Sequence, residues 1–233
     1  MAHISRRELK TDEFISGLDA AWEYFLAHRR GLLSAGAVIV GAALLTWGWM
    51  SWRSHRLARA QSYLAQGIEL FHAPISAQSL PGGQPSFPDA QARARAALAD
   101  FQRAAAYSHT PPARLARYYA ALAEIAAGQP QRGVAALRQL SRDSDPNLAA
   151  FARSARANYE LSQGHDAAAA AQLQKLLQHP APALPRAAVL WQLATIESRT
   201  NPPAAARLYR ELVEQYPNTQ TAQDAAQHLG QEP

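Results

Sequence analysis

Residues Gly128–Leu140 read GQPQRGVAALRQL, and residues Gly164–Leu176 read GHDAAAAAQLQKL. The two stretches lie 36 residues apart, and each opens on glycine, passes through a small residue and ends on two leucines three positions apart. The register persists outward in both directions. Phe101, Leu137, Leu173 and Tyr209 are spaced 36 apart, as are Ala97, Gly133, Ala169 and Ala205, and as are Ala104, Leu140, Leu176 and Leu212. Small, large and medium apolar residues at offsets 0, +4 and +7 form one helical face. Recurrence at a period of this size marks stacked helical units, each of which needs a neighbour to bury its apolar face.

Composition agrees. Alanine, the best helix former, supplies 52 of 233 residues, while the β-branched residues that favour strands are few. The punctuation agrees too: Thr110-Pro111-Pro112, Asp145-Pro146 and Asn201-Pro202-Pro203 each set a capping residue before proline in a first helical turn. The pattern predicts helices near 89–107, 112–127, 130–142, 146–163, 166–178, 185–199 and 202–215, with a last one near 219–229 covering the open end. The fold class expected is all-α.

The N-terminal part is different. Gly31–Trp52, GLLSAGAVIVGAALLTWGWMSW, carries no charge over 22 residues, while the mean hydropathy of the whole chain is −0.27. As a helix it would extend about 33 Å, enough for a hydrocarbon layer of about 30 Å. Arg29 and Arg30 border one end and Arg53 and Arg56 the other, with Trp47, Trp49 and Trp52 placed where indoles favour the membrane interface. A long hydrophilic leader and the lack of a small-residue cleavage site point to an uncleaved transmembrane anchor. Gly31 and Ala35, then Ala37 and Gly41, have the small-xxx-small spacing of helix contacts in membranes. Basic residues on the N-terminal side are balanced by acidic ones, so charge alone does not choose the orientation.

Residues 1–30 are expected to carry a short amphipathic helix, with Phe14, Leu18, Trp22, Phe25 and Leu26 on one face. Residues 53–71 continue as a helical stalk. Residues 72–88, with four prolines and two glycines, form a flexible loop, and 89–233 form the repeat domain.

The pattern G-[QH]-x-x-x-[GA]-x-x-x-L-x-x-L from Gly128 and Gly164, together with AARLYRELVEQYPNT from Ala205, resembles the tetratricopeptide (TPR) signature. A single N-terminal transmembrane helix followed by a TPR-like α-solenoid is the architecture this implies. The layout of charged N-terminus, single span, stalk and Ala-rich repeats resembles the ancillary SecYEG translocon subunit family of Gram-negative bacteria. That resemblance implies a cytoplasmic N-terminus, a periplasmic repeat domain, and translocon subunits, periplasmic chaperones and client polypeptides as partners. An anchored platform for envelope assembly or cell division is the alternative. A cytoplasm-facing binder of nucleic acid or of the membrane surface is a third class.

The chain has no cysteine, no phosphate-loop or dinucleotide fingerprint, and no histidines paired at helical spacing. No enzyme, cofactor, metal, nucleic-acid or small-molecule site is therefore expected. The net charge of +5 is read as arginines on solvated helix faces. Candidate residues for a partner groove are Tyr118, Leu122, Ser154, Asn158, Leu190 and Trp191, on the first helix of each pair.

Overall fold

The computed structural model describes residues 6–76 and 84–231, with side chains from residue 30 onward except at positions 32, 33, 35, 36 and 231. The described chain is all-α. Its elements are α1 (Arg6–Phe71), α2 (Ala90–Ala105), α3 (Pro111–Ala126), α4 (Pro130–Leu140), α5 (Pro146–Ser162), α6 (Asp166–Gln178), α7 (Arg186–Thr200), α8 (Pro202–Gln215) and α9 (Gln220–Gln231). Among the described residues the only extended pairing is an isolated bridge between Ile75 and Phe87.

The chain divides into two compact units, Met1–His55 and Arg56–Pro233. The first is helical from Arg6 onward, with no break at Thr11 or at Arg30. The amphipathic face expected over 14–26 lies outside the residues whose side chains are described. Among the described residues no helix is long and apolar enough to cross a membrane. Of the span expected at Gly31–Trp52, the side chains at positions 32, 33, 35 and 36 lie outside those described.

In the second unit each helix from α2 onward touches its neighbour in chain order, and α3 also meets α5, as α7 meets α9. The core is correspondingly serial. One cluster joins Leu64 of α1 to Ala97, Phe101 and Ala104 of α2 and to Ala116 and Ala123 of α3. The next holds Ala121, Leu137, Leu140, Leu148 and Ala152, from α3, α4 and α5. A third is built around Ala157, Leu173, Leu176, Val189 and Leu193, from α5, α6 and α7. The last holds Leu190, Ala205, Tyr209, Leu212 and Ala225, from α7, α8 and α9. Phe101, Leu137, Leu173 and Tyr209 thus each occupy a different cluster, and none is more than 2 % exposed. Helices α3, α5 and α7 serve two clusters apiece, which ties successive pairs together.

Small residues at the contacts set the helix spacing. Gly133 of α4 lies so close to the Ala121 carbonyl of α3 that a β-carbon there would collide with it. The turns α3–α4 and α5–α6 repeat one design. Gly128 and Gly164 adopt φ of 84° and 75°, a left-handed conformation that glycine enters without steric cost. The following amides, of Gln129 and His165, donate back to the Glu124 and Glu160 carbonyls at 2.8 and 2.9 Å, closing both helices in the Schellman manner.

The caps at Thr110 and Asp145 form: Thr110 Oγ1 accepts from the Ala113 amide, and Asp145 Oδ1 from those of Asn147 and Leu148. Asn201 differs from the expectation. Its side chain makes no cap bond: Pro202 and Pro203 have no amide hydrogen to give, and the Ala204 amide donates to the Asn201 carbonyl at 2.9 Å.

The stalk is also corrected. Residues 56–71 belong to the helical domain, with Ala60 and Leu64 buried and Tyr63, Ile68, Leu70 and Phe71 packed on the first cluster. Ala60, Leu64, Gly67 and Phe71 fall on one face of α1, and Gly67 receives the ring of Phe101. This end of α1 is therefore the first helix of the first pair, with residues 72–89 inserted before its partner α2. The ends of that insertion are tied: Ser76 donates to the Phe87 carbonyl at 2.8 Å, Phe87 to that of Pro74, and Arg93 to that of Ala73. Residues 77–83 of the loop lie outside the described residues.

Candidate functional site

Three surfaces carry chemistry. The first is on α1. Val38, Ile39 and Val40 are 71, 68 and 59 % exposed. Successive helical residues point about 100° apart, so three exposed in a row mean an apolar surface on all sides. Leu44, Leu45, Trp47, Trp49, Met50 and Trp52 extend it. Trp49 and Trp52 stand 5.6 Å apart beside a notch left by Gly48. Arg30 and Arg53 are exposed and Arg56 is half-buried, while the side chain of Arg29 lies outside the described residues.

The second surface is the expected groove, which the structure assembles only in part. Tyr118 and Leu122 lie half-buried on α3, and the Tyr118 ring meets Tyr119 and, from α5, Phe151. Burial first, then Tyr119, raises the Tyr118 pKa above its ordinary value of 10.0. Ser154 is half-buried on α5, and Asn158 is exposed and accepts from Gln192 Nε2 of α7 at 3.2 Å. Leu190 is not a groove residue: it is fully buried among α7, α8 and α9. Trp191 packs on Tyr209 and His228, whose own rings stack 5.1 Å apart, so it supports that last cluster.

The third surface was not foreseen. A cleft of about 390 Å³ is lined by Arg138, Ser141 and Arg142 from the end of α4, Arg153 and Arg156 from α5, and Gln172 and Lys175 from α6. No carboxylate lines it, and none of its five cations belongs to an ion pair among the described residues. Glu160, one turn beyond Arg156, hydrogen-bonds His165 instead.

Two of the arginines are held in place. Arg153 Nη2 donates to the Ser141 carbonyl at 2.7 Å, a favourable place for a cation because carbonyls are left unpaired at a helix C-terminus. Arg156 Nε is buried without a hydrogen-bond partner. Burial, then the nearby Arg138, lowers the Arg156 pKa; Glu160 acts in the opposite sense and Arg142 adds to the lowering. The sequence signal was present in like charges at i, i+4 (Arg138 and Arg142) and i, i+3 (Arg153 and Arg156), pairs that isolated helices disfavour.

Among the described residues no group of side chains could hold a metal ion. Comparison with protein-family models, curated proteins and solved structures finds no match.

Proposed function

We propose that this chain is a membrane-tethered protein-interaction scaffold. In this reading Gly31–Trp52 spans the membrane once, and the helix pairs from Arg56 onward form a TPR-like solenoid on the periplasmic side. It presents polypeptides or chaperones to the export machinery. The observation that carries the anchor is the exposure of apolar side chains on every side of α1 between Val38 and Trp52. An apolar surface of this extent is costly in water and favourable in lipid. Serial clusters, each fed by one large residue at a 36-residue period, support the solenoid. The export role rests on the resemblance of the whole layout to translocon-associated subunits. A tether of this kind works by raising the effective concentration of the domain beside a membrane-bound partner.

Topology is the deciding measurement. An alkaline phosphatase fused after Pro233 is expected to be active in intact bacteria, and a fluorescent protein that matures only in the cytoplasm to be dark there. The reverse pattern would overturn the periplasmic placement and the export role with it. Recovery of the full chain in the soluble fraction would overturn the anchor.

A further inference from the structure

We infer that the cleft between α4, α5 and α6 is a binding site for a compact, multiply charged phosphate group, held by Arg138, Arg142, Arg153, Arg156 and Lys175. The inference goes beyond the scaffold reading and stands without it.

Five cations face one concavity of about 390 Å³ with no carboxylate on its lining. Surface arginines ordinarily relieve one another by spreading apart or by pairing with acids, and this domain does so elsewhere: Arg103 pairs with Asp100, Arg132 with Glu124, Arg186 with Glu211 and Arg199 with Asp166. Within the cleft the pairing stops. Arg153 is fixed by the Ser141 carbonyl, and Arg156 keeps a buried Nε without a partner. An unpartnered buried donor costs free energy that an arriving acceptor returns.

The volume falls in the range of small-ligand pockets. Filling it with enough negative charge calls for dense charge. A diphosphate brings several oxygens within a few ångströms, and guanidinium forks match phosphate oxygens two at a time. Carboxylates of a peptide sit on separate residues and deliver less charge to the same volume. Single-stranded nucleic acid calls for stacking platforms, and no aromatic side chain lines the cleft. The same phosphate chemistry is available from a soluble diphosphate and from a lipid headgroup bearing two phosphates, for which basic pockets on membrane proteins are suited.

The test uses the full chain. In neutral detergent at physiological ionic strength, inorganic pyrophosphate is titrated calorimetrically. In parallel, the protein is placed in nanodiscs of phosphatidylcholine with or without cardiolipin, and its Tm is read. Saturable binding of pyrophosphate at one site identifies a soluble source. A rise in Tm with cardiolipin and no response to pyrophosphate identifies the lipid. Either response should weaken about tenfold or more for each guanidinium removed in Arg138→Gln and Arg142→Gln, both exposed positions that leave the core intact. It should be unchanged in Arg207→Gln, an exposed arginine of α8. Arg156→Lys keeps the charge, loses the fork and should also weaken binding. The inference is overturned if neither probe binds, if Arg138→Gln and Arg142→Gln bind as the parent does, or if only an oligoglutamate peptide is taken up.

Discussion

Gly67 of α1 lies against the ring of Phe101 of α2, so closely that a β-carbon on Gly67 would stand 2.6 Å from both Cδ1 and Cε1 of the ring. Phe101 is fully buried, edge-on to Phe71 and stacked on Tyr119 of α3, so its ring has little room to retreat. In an ordinary helix interior, glycine to alanine gains about 1 kcal/mol. Here the sign should reverse. Gly67→Ala is expected to destabilise the domain by roughly 1–3 kcal/mol, as overpacked cores do. Chemical denaturation of the two proteins side by side decides it, and a gain in stability would mean that α1 does not dock on α2 in this way.

Leu137 and Leu173 are equivalent positions in successive clusters, both fully buried. Truncation of either to alanine should cost about 2–5 kcal/mol, whereas Leu44→Ala and Leu45→Ala on the exposed part of α1 should leave the melting of the helical domain unchanged. Equal effects at the two kinds of position would break the link between the 36-residue period and the core.

The two left-handed glycines allow a finer comparison. A β-carbon on Gly164 would meet nothing within 4 Å, so Gly164→Ala should show backbone strain alone, about 1 kcal/mol. On Gly128 the same atom would also press on the Gln91 amide nitrogen at 2.5 Å. That contact lies at the end of a flexible side chain, so the extra cost should be small and should vanish in Gln91→Ala. A double-mutant cycle reads the difference.

Much of the fold is legible in the sequence because a fixed period places one large residue in each cluster and proline marks most helix starts. One reading fails through the variable length of connections. Residues 72–89 separate α1 from α2, where the later pairs α3–α4 and α5–α6 are joined by tight glycine turns, so the first pair is out of register with the rest. A constant step of 36 from Tyr118 through Ser154 arrives at Leu190, which lies in the core because residues of α8 and α9 enclose it. The basic cleft escapes a linear reading for another reason. Its cations come from three helices, and only packing shows that carboxylates such as Glu160 are engaged elsewhere.

Tyr118 supplies a pH test. Its pKa is raised by burial, so the folded state holds the neutral phenol more tightly than the unfolded chain does. The associated stability is fully present below the unfolded value near 10 and is lost as pH rises through the folded value. Urea midpoints measured near neutrality and again above pH 10 should fall less steeply for Tyr118→Phe than for the parent. Identical slopes would place the hydroxyl in solvent.

The domain boundary yields the last test. A fragment beginning at Asp89 retains α2 to α9 but removes Ala60, Leu64, Gly67 and Phe71, the face that covers Phe101. It would expose a large aromatic residue and open the first cluster, whereas the three later clusters would keep all their members. A fragment beginning at Arg56 keeps the face, and Arg56 is where the second compact unit starts. Both fragments should be helical by circular dichroism, because the clusters are serial and the later ones do not depend on the first. The longer one should melt in a single transition. The shorter one should melt lower, with exchange of α2 amides much faster than in the longer fragment, since α2 would have lost one of its two packing partners. Equal amide protection of α2 in the two fragments would show that residues 56–71 are a separate stalk after all.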